Sequence, residues 1–423
     1  MEATAERALA TTVAARVAAI CDKIKEHRDA GKPMSARHAA VIAAMINDIT
    51  AATDDGEETP TTGGRRKARK GAARWSEELS RLDEAKSGVV VKSVRRDGCD
   101  PGDILREACF MAACSGHPLI VAYRGVTRTP AGTDDGGGDE YSLVADSAAG
   151  PRTLADVVRE HGRPFPESDV RRIMRQLLGG AEAMAERGVV HRDIKPANVL
   201  YVSGAGAFKI AGFGTAKHAA ERDPPELFAG TNGYTAPEVL LENAGHGTPV
   251  DAWSLGCVML ELLTGKLPFA GEDDDKADQL RKIFDVLGVP GRKAWQGLQP
   301  GVPAGEVQQR QARQRQVFVE QCNMLRELVP EKVLSEEGFE VLNGLLNCDP
   351  KKRLTAAAAL QYPWFTDNAL NDEDALFLSA GLAKITSAAS QSWSLVLQMA
   401  MSFAGRTLQL LRPKGIAQVM IVM

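Results

Sequence analysis

The stretch VVHRDIKPANVL, Val189 to Leu200, decides how the rest of this sequence is interpreted. It places Asp193, Lys195 and Asn198 in one short loop ahead of an apolar, strand-like segment. A carboxylate in such a loop can accept a hydroxyl proton, a lysine can neutralise a phosphate, and an asparagine can bind Mg²⁺ through its amide oxygen. Positioning and charge compensation supply most of the catalysis in phosphoryl transfer, so these residue types suit that reaction. The loop therefore predicts a phosphoryl-transfer site.

HRDIKPANVL and three downstream motifs together resemble the eukaryotic protein kinase family, and Lys195 is typical of its serine/threonine members. The downstream motifs are TAPE at Thr235–Glu238, DAWSLGC at Asp251–Cys257 and DPKKRLTAAAAL, which contains Arg353. The resemblance implies an α+β fold with a small β-rich lobe and a large helical lobe. It also implies that Asp251 holds the backbone of the catalytic loop and that Arg353 pairs with Glu238.

Two longer stretches are similar to the cyclin-dependent-kinase-like (CMGC) subgroup of that family. They are ADQLRKIFDVLGVPGRKAW, from Ala277, and LLNCDPKKRLTAAAALQYPWF, which surrounds Arg353. A third stretch, DILREACFMAACSGHPLIV, resembles the subgroup's αC helix and the strand that follows it. Of the signature through which that helix contacts cyclins, it keeps Ile104, Arg106 and Glu107. The resemblance therefore implies a protein substrate or a regulatory protein as partner, with a cyclin as one candidate.

The resemblance also implies ATP and Mg²⁺ as cofactors. The nucleotide-binding residues that it implies lie in the small lobe and the hinge: Lys92, Glu107, Gly71, Ala145, Asp146 and Ala148. Lys92 matches the lysine that binds the α and β phosphates, and Glu107 matches its partner on the αC helix. Gly71 opens GAARWS, a degenerate form of the glycine-rich loop that covers the phosphates. SLVADSAAG matches the last small-lobe strand and the hinge, with Ala145 at the gatekeeper position.

One motif departs from the family pattern at a metal ligand. The aspartate of the family's DFG motif is Gly212 here, in Gly212-Phe213-Gly214, which leaves Asn198 as the matched metal ligand. A lost metal contact of about 3–5 kcal/mol would slow the reaction about 10²–10⁴-fold. Two functions follow from this combination. One is transfer of the ATP γ-phosphoryl group to protein Ser/Thr hydroxyls with Asp193 as base, impaired by Gly212. The alternative is a pseudokinase, a scaffold or regulator that binds proteins without catalysis.

The activation segment carries a second substitution. Glu226, in RDPPELF, stands where cyclin-dependent kinases carry the activating threonine. A fixed carboxylate at this position would imitate a phosphate by pairing with Arg192 and Arg106. The alternative is that Glu226 is simply an exposed surface residue.

Composition shifts divide the chain into four parts. Apolar residues recur every three or four positions before and after a break at Gly31–Pro33, which predicts a helical hairpin. The stripes are Leu9, Val13, Val17, Ile20 and Ile24, then Val41, Ile42, Met45, Ile46 and Ile49. The predicted parts are a helical extension (1–52), a charged flexible linker (53–70), a kinase-like domain (71–365, with lobes 71–145 and 146–365) and a helical tail (366–423). The linker run RRKARK, Arg65–Lys70, is either a nuclear localisation patch or a solvated linker, so we expect a cytoplasmic or nuclear protein, or both.

Net charge and cysteine spacing indicate which partners to exclude and which cellular compartment to expect. A formal net charge of -4 gives no general attraction to nucleic acid or to an anionic membrane, so neither is expected as a partner. The stretch 386–405 lacks charged residues but contains repeated Ser, Gln and Thr, which favours a docked tail helix over a membrane span. The 7 cysteines form no C-x-x-C pair, which predicts buried free thiols in a reducing compartment.

Overall fold

The computed structural model describes twelve stretches of the chain: 2–29, 36–54, 89–94, 101–129, 140–146, 152–202, 205–221, 229–243, 245–267, 269–272, 275–290 and 324–366. The strands of a small sheet precede a larger, mainly helical part. The predicted α+β class with an N-terminal helical extension is confirmed. The predicted linker and tail lie almost wholly outside the described residues, and the domain boundaries stay predictions.

The N-terminal extension consists of α1 (Glu2–Asp29) and α2 (Ala36–Asp54), which contact each other. Seven residues of their apolar stripes are buried, namely Val13, Val17, Ile20, Ile24, Ile42, Ile46 and Ile49, and Met45 is partly exposed. Val41 was predicted on the same stripe but is 52% exposed. The physical reason is that Val41 is rotated by about 100° from Ile42 around the helix axis, away from the buried face. The predicted break at Gly31–Pro33 lies outside the described residues.

The small sheet has three antiparallel strands in the order β1-β3-β2. The strands are β1 (Val89–Val94), β2 (Tyr123–Thr129) and β3 (Glu140–Asp146). An irregularity in β2 between Tyr123 and Gly125 interrupts its pairing with β3. Helix α3 (Pro101–Ala113) packs against β2 and β3 and also against α1 and α2. Helix α3 is therefore an internal element of this part of the structure.

The larger part is built around a helix with almost no exposed side chains, α7 (Pro249–Thr264), whose Trp253 is fully buried. Helix α7 packs against α5 (Glu167–Glu186) and α10 (Glu336–Leu345). The remaining helices are α4 (Leu154–His161), α6 (Pro237–Leu240), α8 (Lys276–Leu287), α9 (Leu325–Leu328), α11 (Ala356–Leu360) and α12 (Pro363–Thr366). Two short antiparallel pairs complete this part: β4 (Val189–Val190) with β7 (Lys217–His218), and β5 (Val199–Val202) with β6 (Ala207–Ile210).

The two short pairs hold the predicted catalytic segments next to each other. The loop that contains Asp193 runs from β4 to β5 and includes a 3₁₀ turn, Pro196–Asn198. The Gly212 segment runs from β6 to β7 and includes a second 3₁₀ turn, Phe213–Thr215. Because β4 pairs with β7 and β5 pairs with β6, both ends of each segment are fixed against the other segment. The second turn also packs against α3.

The cysteine prediction can be compared with five of the seven thiols. Cys21, Cys109, Cys114 and Cys257 are buried and free, and Cys348 is free and partly exposed. Cys99 and Cys322 lie outside the described residues. None of the described helices is long and apolar enough to cross a bilayer. The stretch 386–405 lies outside the described residues.

Candidate active site

The backbone of the catalytic loop is held by a buried carboxylate. Asp251, near the start of α7, accepts hydrogen bonds from the backbone N–H groups of His191 and Arg192, both at 2.8 Å. Arg192 has a left-handed backbone, with φ of 69°. Such a conformation is costly for a non-glycine residue, so the two hydrogen bonds to Asp251 stabilise a turn that would otherwise relax. This is the contact that the family resemblance implied for Asp251.

The ring of His191 connects this loop to the Gly212 segment. Its Nδ1 accepts the backbone N–H of Asp193 at 3.3 Å, and its Nε2 lies 3.0 Å from the carbonyl oxygen of Ala211. Burial lowers the pKa of His191 to about 4, so the ring is neutral near pH 7. A neutral ring that accepts at Nδ1 carries its proton on Nε2 and donates it to Ala211. The ring also packs edge-on against Phe213, with 4.9 Å between centroids.

The three predicted catalytic residues meet around the carboxylate of Asp193. Lys195 Nζ lies 3.0 Å from Oδ2, and Asn198 donates from Nδ2 to the same oxygen at 2.9 Å and to the backbone carbonyl of Asp193 at 2.8 Å. The hydroxyl of Thr231 donates to Oδ1 at 2.5 Å and accepts from Lys195 Nζ at 2.6 Å. The carboxylate is partly exposed, at 15%, so a second hydroxyl can reach it.

Thr231 is a member of this cluster that sequence reasoning missed. The available signal was a hydroxyl residue four positions before Thr235 of the TAPE motif. Thr235 donates from its own hydroxyl to the carbonyl oxygen of Thr231 at 2.9 Å, which fixes Thr231 relative to the motif. The segment that ends at TAPE therefore contributes directly to the surroundings of Asp193.

Gly212 adopts a backbone that suits glycine and lies directly against Asn198. Its φ is 81° and its ψ is 54°, and a Cβ atom built there would lie 2.8 Å from Oδ1 of Asn198. The side chain of Asn198 thus lies close to the position that a side chain at residue 212 would occupy. Its Nδ2 is bound to Asp193, which leaves Oδ1 as its one oxygen facing Gly212.

These residues do not provide the two protein ligands that would hold a Mg²⁺ ion. The described part of the chain has no group of three or more His, Cys, Asp or Glu side chains placed to bind a metal ion. The predicted metal ligand Asn198 can offer a single amide oxygen, whereas Mg²⁺ in phosphoryl-transfer sites is usually held by one or two carboxylates and the substrate phosphates.

The predicted nucleotide-binding residues are only partly described. Lys92 lies on β1 opposite Leu143, and Ala145 and Asp146 end β3 opposite Val90 and Val89. Glu107 lies on α3, is 7% exposed, and belongs to the helix that packs on this sheet. The side chains of Lys92 and Asp146, and the whole of Gly71 and Ala148, lie outside the described residues. Whether Lys92 pairs with Glu107 therefore stays a prediction.

The acidic partner of Arg106 is Glu221. Arg106 donates from Nη2 to Oε2 of Glu221 at 2.6 Å, in a partly buried ion pair. Arg192 donates from Nε to the carbonyl oxygen of Thr215 at 2.5 Å. Glu226, predicted to pair with both arginines, lies outside the described residues, so that pairing stays a prediction. Glu221 was missed because nothing in its local sequence indicates a partner on α3.

The pair that the resemblance implied between Glu238 and Arg353 is present and buried. Two parallel hydrogen bonds join the side chains, from Nη1 to Oε1 at 2.6 Å and from Nη2 to Oε2 at 2.8 Å. Arg353 also donates to the carbonyl oxygens of Pro249 and Asn347, both at 2.9 Å. These contacts connect the TAPE motif to the start of α7 and to the segment that follows α10, so the pair is structural.

Comparisons with known proteins show which family the chain belongs to. The family model for the protein kinase domain matches residues 80–365. A protein of Oryza sativa subsp. japonica, provisionally named cyclin-dependent kinase F-2, is 42% identical over 327 residues, which are 73% of this chain and 94% of the relative. Cyclin-dependent kinase G1 of Arabidopsis thaliana is 36% identical over 270 residues, 62% of this chain and 40% of the relative. The chain belongs to the protein kinase family, in its cyclin-dependent-kinase-like (CMGC) serine/threonine subgroup.

Proposed function

We propose that this protein transfers the γ-phosphoryl group of ATP to serine or threonine hydroxyls of proteins, with Asp193 as the base, and that Gly212 slows the reaction. The observation that supports this proposal is the cluster of Lys195, Asn198 and Thr231 around the carboxylate of Asp193. A carboxylate whose oxygens are both held by hydrogen bonds and which is still partly exposed is suited to receive a substrate hydroxyl.

In the proposed reaction the substrate hydroxyl donates its hydrogen bond to the carboxylate of Asp193. The hydroxyl oxygen forms a bond to the γ-phosphorus as the bond from that phosphorus to the β–γ bridging oxygen breaks. The bridging oxygen keeps the electron pair and leaves with ADP, and the hydroxyl proton passes to Asp193. Lys195, 3.0 Å from that carboxylate, compensates negative charge on the phosphoryl group during transfer.

Asn198 and Thr231 orient the base in this scheme. The amide of Asn198 donates to Oδ2, and the hydroxyl of Thr231 donates to Oδ1. Both bonds hold the carboxylate in one orientation, as a positioned base requires. A bound Mg²⁺ would supply charge compensation to the phosphates, but Gly212 offers no carboxylate to hold it. The remaining compensation comes from Lys195 and, by family resemblance, Lys92, so we expect slow transfer.

The experiment that tests this proposal is transfer of radiolabelled phosphate from ATP to a generic basic protein, with Mg²⁺ or Mn²⁺. Wild type is compared with Asp193→Asn and with the matched control Asp285→Asn, an exposed aspartate of α8. A positioned base contributes about 10²–10⁴-fold. We expect wild type and Asp285→Asn to transfer phosphate equally and at least about 10²-fold faster than Asp193→Asn.

The second candidate is a non-catalytic regulator that binds partner proteins. Gly212 and the degenerate loop that begins at Gly71 favour it, since both weaken the hold on the phosphates of ATP. In the same assay a regulator gives equal counts for wild type and Asp193→Asn. On either function the partners are proteins, and the names of the relatives make a cyclin one candidate.

A further inference from the structure

Helix α3 is covered on its outer side by the chain's own N-terminal hairpin. Both α1 and α2 contact α3, and α1 also contacts α5 and β7. The thiols of Cys21 of α1 and Cys109 of α3 lie beside each other, and both are buried. The apolar stripes of the two hairpin helices, from Val13 to Ile24 and from Ile42 to Ile49, are the surfaces buried in this packing. The hairpin therefore belongs to the same hydrophobic core as α3.

A polar residue fixes how the hairpin sits on the sheet beside α3. Asn47 of α2 accepts the hydroxyl hydrogen of Tyr123 at 2.8 Å and, through the same Oδ1 atom, the backbone N–H of Val126 at 3.4 Å. These partners flank the irregularity of β2, where a Cβ on Gly125 would come within 3.9 Å of that oxygen. Apolar packing alone tolerates sliding, whereas a hydrogen bond to one place on a strand selects a single position.

Helix α3 also contacts the candidate active site. Arg106 reaches Glu221, in the segment that follows Gly212, and the turn Phe213–Thr215 packs against the helix. Glu107, the predicted partner of Lys92, lies on the same helix and is almost fully buried. A displacement of α3 would therefore be felt both at Glu107 and at Glu221.

We propose that the N-terminal hairpin is the positioning surface for α3 and, through α3, for Glu107. The support for Glu107, and so for its predicted pair with Lys92, then comes from the protein's own N-terminal segment. A second protein that binds this face of α3 must first displace the hairpin. The support of α3 is independent of the proposed function, whereas the effect on nucleotide binding rests on it.

Hydrogen exchange of the intact chain tests the support directly. Ile46→Asp puts a charge into the buried stripe of α2, and Val41→Asp puts the same charge on the exposed side of the same helix. We expect Ile46→Asp to accelerate exchange across α3 by about 100-fold, because an unpaired buried carboxylate opposes docking. Val41→Asp should leave α3 as in wild type, and α7 should stay protected in both variants.

Milder substitutions keep the proposal testable if Ile46→Asp does not fold. Ile46→Ala removes buried methyl groups and should accelerate exchange of α3 by at least about 10-fold, whereas Ile46→Val should restore most of the protection. Asn47→Ala should also accelerate exchange of α3 and β2 while α7 is unchanged. Exchange of α3 at the wild-type rate in Ile46→Ala would overturn the proposal. Equal acceleration in α3 and α7 would overturn it as well, since the hairpin would then support the whole fold without distinction.

Binding of a fluorescent ATP analogue separates this proposal from the proposed function. If both hold, Ile46→Ala weakens the affinity for the analogue by about 10-fold or more and Ile46→Val does not. If wild type fails to bind the analogue, the catalytic proposal is wrong and the exchange experiment still decides whether the hairpin supports α3. If α3 loses protection in Ile46→Ala while the affinity is unchanged, the link from α3 to the nucleotide is refuted.

Discussion

On the proposed function, replacing Gly212 by aspartate should raise the rate of phosphate transfer and lower the stability of the protein. The left-handed backbone at residue 212, with φ of 81°, costs a residue with a Cβ about 1–2 kcal/mol. The new Cβ would lie 2.8 Å from Oδ1 of Asn198, so the amide must turn and weaken two hydrogen bonds to Asp193, each worth about 1 kcal/mol. We therefore expect a loss of about 2–4 kcal/mol in the free energy of unfolding.

The gain in rate comes from the carboxylate. A metal contact of about 3–5 kcal/mol in the transition state corresponds to about 10²–10⁴-fold in kcat. The assay is radiolabelled phosphate transfer at saturating ATP and Mg²⁺, with urea unfolding measured on the same preparations. Since Asn198 must move, we expect the lower end of this range, about 10²-fold.

Two matched variants isolate the carboxylate from the backbone effect. Gly212→Ala has the same strain and the same contact with Asn198, so it should be destabilised and gain no activity. Gly212→Asn tolerates the left-handed backbone better and offers an amide oxygen, so its gain should be small. A folded Gly212→Asp protein without a gain in kcat, or an equal gain in Gly212→Ala, would refute the reasoning about the metal ligand.

Three further predictions concern stability and reactivity. Arg353→Met should lower the free energy of unfolding by about 3–5 kcal/mol, because it leaves the carboxylate of Glu238 buried and unpaired; in urea unfolding the double variant with Glu238→Leu should recover part of the loss. The pKa of His191, lowered by burial to about 4, lies below its value of 6.5 in the unfolded chain, so the stability that His191 contributes above pH 6.5 is lost as the pH falls towards 4. Wild type should therefore lose about 3 kcal/mol more than His191→Phe over that interval. Cys109 and Cys114, whose pKa values are raised (that of Cys114 to about 12, by burial), should resist iodoacetamide in the native protein and react once it is unfolded, as peptide mass spectrometry can measure.

Each of these three predictions has a result that would contradict it. A double variant no more stable than Arg353→Met would mean that the loss of stability does not come from leaving the carboxylate of Glu238 buried and unpaired. Parallel pH curves for wild type and His191→Phe would mean that the ring is not neutral in the fold. Rapid alkylation of either thiol in the native protein would mean that the hairpin and α3 open readily.

Local pattern predicted those features that a short motif carries. The backbone hold by Asp251 and the pair of Glu238 with Arg353 followed from motifs whose residues have fixed structural roles. Helical periodicity predicted both helices of the hairpin, but it misassigned Val41, because a broad apolar stripe does not define its own edge to within one residue. The same periodicity could not predict that the hairpin packs on α3, since an apolar face does not specify its partner.

The remaining features depend on contacts between distant segments. Thr231 lies 38 residues from Asp193, and Glu221 lies 115 residues from Arg106. Apart from the spacing of Thr231 from Thr235, neither residue has a local signal, because its role is set by tertiary packing that brings loops together. The close approach of Gly212 to Asn198 is similar: the sequence indicates a missing acid, whereas only the structure identifies the neighbour that fills the space.

The hydrogen bonds from the catalytic loop to Asp251 affect how kinase genes in a genome are classified as active or inactive. His191 and Arg192 both donate backbone hydrogen bonds to Asp251, and their side chains bind Ala211 and Thr215. Natural selection for a chain that folds would preserve both residues after activity had been lost. An intact HRD motif is therefore poor evidence of enzymatic competence in a divergent gene copy. Positions whose side chains serve only the reaction, such as residue 212, are better diagnostic markers.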